Sequence, residues 1–376
     1  MGIVWFIIIV GALVVIQMEF FHIVGLRKVE YRRFWAKNIV YEGDKNEMVE
    51  VLENRKSLPI PWLRVESRIS PHIRFGSETD YDVLHEQFHR SAFFLRGFKR
   101  IRRRHDVTCL HRGYYVLDRA SLTSGDLFGL LSRSKEVEGD SELFVYPRPI
   151  DPQESPESLK WQGDIAMRRW IMPDPILISG IRDYLPGDAQ KDIHWPATAR
   201  TGKLQVKVRD FTVTPKVLVL LNIQIAEVLW GAMEPEQQEF IEKGVRIAAH
   251  LATWALESGM ECGLWCNGRR STEERESTIE IAPAGSRAQL DTIMQALCKM
   301  QIVCAANFTT YLDKLVASDV EGLDIVLISA YDSEAIRSRS EELRNHGCSV
   351  TFVPIVGDAE QKKEVERDAV EEAEAV

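Results

Sequence analysis

His85-Glu86-Gln87-Phe88-His89 matches H-E-x-x-H, the spacing with which one helical turn presents two imidazoles to zinc while a glutamate polarises the bound water. A zinc metallopeptidase is therefore one reading of the chain. The motif needs a helix and a third ligand, and no G-x-x-H follows; two histidines in a strand or loop give the same pattern without chemistry. A second cluster, Lys99, Arg100, Arg102, Arg103 and Arg104, lies close to Arg90, Arg96, Arg112 and Arg119. It suits phosphates, either of anionic lipid or of nucleic acid, and equally a strand edge protected by charge. Phe93, Phe94 and Phe98 beside it read as core side chains rather than stacking platforms. His194 has the chemistry of a general base, yet no nucleophile and acidic orienter stand at a recognisable spacing from it, so no catalytic residue is expected.

The densest polar pattern runs from Gly180 through Arg182, Tyr184, Gly187-Asp188, Lys191 and Ile193-His194-Trp195 to Ala199-Arg200-Thr201-Gly202-Lys203-Leu204. Arg182, Asp188, Lys191 and Arg200 alternate in charge around Tyr184, His194 and Trp195, a composition suited to a hydrogen-bonded, partly buried network. Such a network either clamps parts of the fold together or docks a partner. Asp188 and Arg200 are expected inside it, and Lys191 at an exposed contact.

This stretch resembles domain-of-unknown-function family 58, bacterial membrane-anchored proteins with a von Willebrand factor A-like domain. The family pattern is roughly G-x-R-x-Y-x-x-G-D-x-x-R-x-I-x-W-x-x-x-A-R, met throughout except that Lys191 stands in the usual arginine position. His111-Arg112-Gly113-Tyr114-Tyr115, Gly125-Asp126-Leu127-Phe128-Gly129-Leu130 and Val145-Tyr146-Pro147-Arg148-Pro149 resemble the family's preceding segments. The resemblance implies a protein-binding scaffold or adaptor. Its implied company is a MoxR-type AAA+ ATPase and transglutaminase-like membrane proteins, in assembly or maturation of membrane or cell-envelope complexes. Partner binding is expected at Arg182, Tyr184, Asp188, Lys191, His194, Trp195 and Arg200.

A von Willebrand A-like domain often carries a metal-ion-dependent adhesion site, with Asp-x-Ser-x-Ser after the first strand. Here Lys216 to Leu221 runs into Asn222-Ile223-Gln224-Ile225-Ala226, so the ligand positions hold Asn222, Gln224 and Ala226. The carboxylate is missing and the last oxygen is absent. Downstream, Leu323 to Ile328 ends in Ser329-Ala330-Tyr331-Asp332, which displaces the acidic position. The resemblance thus implies the fold without the metal, and no cofactor is expected.

The elements that would position these residues change along the chain. Ile3 to Ile16 is an uninterrupted run of apolar residues and glycine. A retained anchor over residues 1–26 fits better than a cleaved signal, because no basic residue precedes the run and no small-x-small site follows it. Arg27, Lys28, Arg32, Arg33 and Lys37 come next, which predicts a cytoplasmic body by the positive-inside rule. Residues 27–150 read as an antiparallel β-sandwich-like domain. Its strand runs include Asn38 to Tyr41, Met48 to Leu52, Trp62 to Ile69, Val107 to Leu110 and Tyr114 to Leu117, with a helix only around 79–95.

Residues 151–357 read as the family-58 motif segment followed by a von Willebrand A-like, Rossmann-like α/β domain. Its strands are Lys216 to Leu221, Met260 to Cys266, Thr278 to Ile281, Leu323 to Ile328 and Ser349 to Val353. Helices are expected over Glu236 to Leu256, Arg287 to Met300 and Ser333 to Asn345. Alternating elements of this kind imply an open, mostly parallel sheet covered on both faces. Residues 358–376 read as an acidic tail, either solvated or a frayed helix.

The composition fits this plan. With 376 residues, 45% hydrophobic and 27% charged, the chain can bury real cores. A net charge of -9 argues against nucleic acid as a partner. The six cysteines show no repeated C-x-x-C and read as reduced core thiols.

Overall fold

The computed structural model describes residues 2–76, 87–150, 178–185, 190–209, 215–227, 233, 235–270, 278–318, 320 and 322–356. The chain forms two compact units, Met1–Arg148 and Pro149–Val376.

The first unit opens with helix α1 (Gly2–Val24), whose only formal charge is Glu19. At 1.5 Å per residue it is about 34 Å long, enough to cross a bilayer core by length and composition. Its last carbonyls are met from another element: Lys56 Nζ donates to Val24 O at 2.6 Å and also to Gly25 O. Burial pushes the Lys56 ammonium down to about 8. Lys56→Met should strand both carbonyls and cost about 1–3 kcal/mol, measurable as a lower urea midpoint of this unit.

Among the described residues nine strands follow: β1 (Val29–Trp35), β2 (Ile39–Tyr41), β3 (Lys45–Asn54), β4 (Ile60–Ile69), β5 (Ile73–Phe75), β6 (Gln87–Leu95), β7 (Arg100–Cys109), β8 (Gly113–Gly125) and β9 (Ser132–Tyr146). They make two sheets, β1-β3-β7-β5 and β2-β9-β8-β4-β6, antiparallel except for the parallel β2–β9 pair. Two apolar clusters lie between the sheets and draw on both. One contains Leu52, Ile60, Leu63 and Leu122; the other contains Trp35, Met48, Val107 and Leu143.

The helix expected around 79–95 is corrected over its second half. Gln87–Leu95 is a strand paired with β4, because Ser91, Phe93 and Leu95 alternate inward against exposed Arg90, Ala92 and Phe94. Residues 79–86 lie outside the described residues.

The same period of two dismantles the basic cluster. Arg100, Arg102 and Arg104 share the outer face of β7, where Arg100 meets Glu53 at 2.7 Å and Arg104 meets Glu47 at 3.6 Å. Arg103 turns the other way, with its guanidinium 4.3 Å from the Phe93 ring centroid. A polar layer is buried inside the sandwich. Glu50 accepts from Tyr31 Oη at 2.6 Å and Ser91 Oγ at 3.1 Å and lies 2.9 Å from His105 Nε2, while buried Arg33 donates from Nη2 to Arg119 O.

In the second unit, β10 (Ile178–Asp183), a 3-10 turn (Gln190–Asp192), α2 (Trp195–Thr201) and β11 (Gln205–Arg209) come first. Then follow β12 (Lys216–Leu221), α3 (Pro235–Glu257), β13 (Glu261–Cys266), β14 (Gly268–Arg270), β15 (Ile279–Ala284), α4 (Arg287–Lys299), β16 (Met300–Cys304), α5 (Phe308–Ala317), β17 (Leu323–Ser329), α6 (Glu334–Asn345) and β18 (Ser349–Pro354). The main sheet has the order β15-β13-β12-β17-β18, with only β15 antiparallel.

Alternate residues of the central strands serve opposite faces. Leu218 and Leu220 pack with Phe308, Leu312 and Leu315 of α5 and Ile336 and Leu343 of α6. On the other face Gly244 brings α3 against Leu221 and Ile355; a Cβ there would stand 2.5 Å from Ile355 Cδ1. Ser286, Asn307 and Ser333 cap α4, α5 and α6.

All six cysteines are free and five are buried, Cys304 being intermediate. Burial pushes Cys262 up to about 12 and Cys109 and Cys304 up to about 11. Relative to an ordinary thiol, such shifts suppress the reactive thiolate at neutral pH by about a hundredfold or more. Ellman's reagent should therefore find the thiols slow in the native protein and all six fast in denaturant; fast native reaction of Cys262 would contradict the packing.

Candidate functional site

The sheet reverses its direction of growth at β12, because the chain passes from β12 to β13 on one side and later to β17 on the other. In open α/β sheets the crevice outside the carboxyl ends of such strands is where ligands bind. Asn222 and Gln224 lie there, buried, together with Asn267 after β13, Ser329 at the end of β17 and the first turn of α5.

Asn222 Oδ1 accepts from Gln224 N at 3.0 Å and from Asn267 Nδ2 at 3.1 Å. Asn222 Nδ2 donates to Ser329 Oγ at 3.0 Å, and Ser329 Oγ donates in turn to Tyr331 O. Asn267 Oδ1 accepts from Ile223 N at 2.9 Å, and Gln224 Oε1 accepts from Phe308 N at 2.8 Å. The amide oxygens that would face a cation thus point at N–H donors. The positive end of α5 faces Gln224 and opposes a cation further. Ala226 is half-buried and carries no side-chain oxygen. Among the described residues no group of three or more His, Cys, Asp or Glu side chains could hold a metal ion.

Sequence reasoning found Asn222 and Gln224 but missed Asn267 and the Phe308 amide. The available signal was position: Asn267 directly follows the β13 run, at the same edge. Millimolar Mg²⁺ or Mn²⁺ should leave the melting temperature unmoved, since a site filled at 100 times its Kd would add about 2.7 kcal/mol.

The second group of expected residues is held by the β10–β11 hairpin. Arg182 pairs with Val206 and Asp183 with Gln205 across it, Gln205 Nε2 donates to Asp183 Oδ1, and Tyr184 N donates to Leu204 O. His194 N donates to Gln205 O at 2.7 Å, and Ile193 bridges Val206. His194 then caps α2: its Nδ1 accepts from Ala197 N at 3.1 Å, which takes up the lone pair a base would use there. Pro196 opens the helix, and Gly202, at φ +70°, closes it.

Tyr184 and His194 are half-buried, whereas Arg182, Lys191, Trp195 and Arg200 are exposed. Asp188 lies outside the described residues. The expectation that Arg200 sits inside a buried network is corrected, because the last turn of α2 carries its guanidinium into solvent. Arg200→Ala should change stability by about 0.5 kcal/mol or less, read from thermal melts.

Of the H-E-x-x-H residues, His85 and Glu86 lie outside the described residues. Gln87 onward is strand, with His89 paired to Ser67, so the helical turn that would carry the motif is broken there.

Residues 180–362 match the family described as Protein of unknown function DUF58. The Bacillus subtilis (strain 168) protein described as Uncharacterized protein YeaD is 19% identical over 251 residues, 65% of this chain and 57% of its own length. The chain therefore spans little more than half of that relative. Among solved structures, the CARDB domain of a Pyrococcus furiosus protein, in complex with di-metal ions, is 13% identical and covers 30% of this chain and 91% of its own, with a TM-score of 0.19. BslA, a bacterial hydrophobin, is 9% identical and covers 33% and 97%, with a TM-score of 0.20. Likenesses of that size carry no argument. The family match starts on β10, takes in the His194-capped helix and runs past β18: it is over residues 180–362 that the chain is similar to the proteins of unknown function DUF58.

Proposed function

We propose that the chain is a single-pass membrane protein with a cytoplasmic body, and that it works as a protein-binding adaptor through the β10–α2–β11 segment. One observation carries this reading: Trp195 is 65% exposed on a segment where Arg182, Lys191 and Arg200 are exposed as well. Tryptophan and arginine are the side chains that most often anchor protein interfaces, and an indole left in water gains most from being covered. The amide network at the sheet's carboxyl edge, whose oxygens accept from N–H donors, supports a role without metal-dependent adhesion. Numbered by first appearance, the sheet runs third, second, first, fourth, fifth, a doubly wound order that supports a Rossmann-like reading of von Willebrand A type.

The family resemblance makes a MoxR-type AAA+ ATPase the partner to test, with transglutaminase-like membrane proteins in the same assembly. Capture of such an ATPase by the detergent-solubilised full chain should fall about tenfold or more in Trp195→Ala and Arg182→Ala, with melts unchanged. Undiminished capture by both variants would overturn the docking role. A reporter active only in the cytosol should work when fused after Val376; silence there, with a working control, would reverse the orientation.

A further inference from the structure

We propose that the end of the sandwich where the anchor helix joins it is a membrane-contacting surface, whose β8–β9 turn sets Leu127, Phe128 and Leu130 into the headgroup and acyl boundary of the same bilayer. The strand registers define that end. Val29, the first residue after the anchor segment to enter a strand, pairs with Asn54; Glu53 pairs with Arg100, Ile60 with Leu95 and Leu63 with Ser124. The β3–β4, β6–β7 and β8–β9 connections therefore all lie at the end where α1 enters.

Contacts agree with the registers. Lys56, in the β3–β4 connection, donates to the last carbonyls of α1, Phe98 N donates to Lys56 O, and a Cβ on Gly25 would stand 3.8 Å from Ser124 Oγ.

Outside the anchor, the four most exposed large apolar side chains among the described residues of this unit all belong to these turns: Phe98 (72%), Phe128 (64%), Leu130 (64%) and Leu127 (60%). Apolar side chains gathered at one end in this way mark an interaction surface. The β8–β9 turn is also tied down by hydrogen bonds. Buried Asp126 accepts from Phe128 N at 3.0 Å and Leu131 N at 2.8 Å, and Trp62 Nε1 donates to Asp126 O at 2.9 Å. Gly129, at φ +71°, supplies the left-handed residue that reverses the chain. The three side chains are thus held outward without being ordered anew on contact.

The occupant follows from what surrounds the patch. Exposed Arg27, Lys28, Arg96 and Lys99 belong to the same end, where Arg55 is paired with Glu30 and Glu53, so apolar tips are rimmed by cations. That combination matches the interface of a bilayer with anionic headgroups, where tips insert and cations stay at the phosphate level.

This inference rests on the reading of α1 as an anchor, and the test separates the two. In a Cys304→Ser background, the full chain carries an environment-sensitive NBD label at Phe128→Cys, at Ile8→Cys within the anchor, or at Lys45→Cys at the opposite end of the sandwich. Each is reconstituted into phosphatidylcholine–phosphatidylglycerol vesicles with shallow or deep doxyl-lipid quenchers. The label at position 128 should be quenched about twofold or more beyond that at 45, and more by the shallow quencher than by the deep one. Quenching at 8 with none at 128 would overturn the inference and leave the anchor standing. A blue-shifted label at 128 that lipid does not quench would mean that protein, not lipid, covers the turn, and would overturn it too. No quenching at 8 would overturn the anchor and this inference together.

Discussion

Glu50→Ala should cost the first unit about 3–5 kcal/mol, the range expected when one partner of a buried charged group is removed. In a unit of this size that is a fall in melting temperature of about 10 °C. The size follows from what the carboxylate holds. The side chain is wholly buried between the sheets, receives the Tyr31 and Ser91 hydroxyls, and stands beside His105. It is also an anion near the buried Arg33 guanidinium, which burial pushes below its ordinary range and which Glu50 helps to keep charged. Truncation strands two hydroxyl donors and a cation at once. Glu50→Gln keeps the volume and an acceptor and removes only the charge, so it should lose about half as much. A loss below about 1 kcal/mol in the alanine variant would mean that water reaches the cluster, and the argument from burial would fall.

That cluster shows where the sequence stops being legible. Alternation made parts of β3, β4, β7 and β8 readable, and the apolar runs Val217–Leu221 of β12 and Ile325–Ile328 of β17 marked a buried parallel sheet. The same alternation exists in β6, but Gln87, His89 and Arg90 diluted it into what reads as a helical face. Helix α5 was overlooked although Phe308, Tyr311, Leu312 and Leu315 follow the helical spacing and Asn307 is a good cap.

What no local pattern contains is pairing across the fold. Glu50 is 41 residues from Ser91 and 55 from His105, and Asn222 is 107 from Ser329. Asn222 and Gln224 could be placed because their strand could be placed. Their closure by Asn267 and Ser329 depends on parallel register, and the exposure of Arg200 depends on which way a seven-residue helix leaves its cap.

Asn222→Ala is the corresponding test for the sheet edge, and its expected cost is also about 3–5 kcal/mol. Two donors lose their acceptor, Gln224 N–H and Asn267 Nδ2, at about 1–3 kcal/mol each, and a small cavity opens beneath them. Asn222→Asp separates hydrogen bonding from charge. The carboxylate can still accept from both donors, but it can no longer donate to Ser329 Oγ, and it places an anion in a fully buried site. Burial should raise the new carboxyl above the ordinary aspartate value of about 3.9. Its folded form then binds a proton that the unfolded form releases. The penalty is absent below that ordinary value, grows as pH rises and is complete above the raised value. A divalent cation would relieve it only if the crevice could admit one. Melts of Asn222→Asp from acid to neutral pH, with and without Mg²⁺, read both effects. Stability that falls as pH rises and ignores Mg²⁺ is expected of a structural network, whereas recovery in Mg²⁺ would make the edge an ion site lacking one carboxylate. An alanine variant within about 1 kcal/mol of wild type would remove the network's structural role altogether.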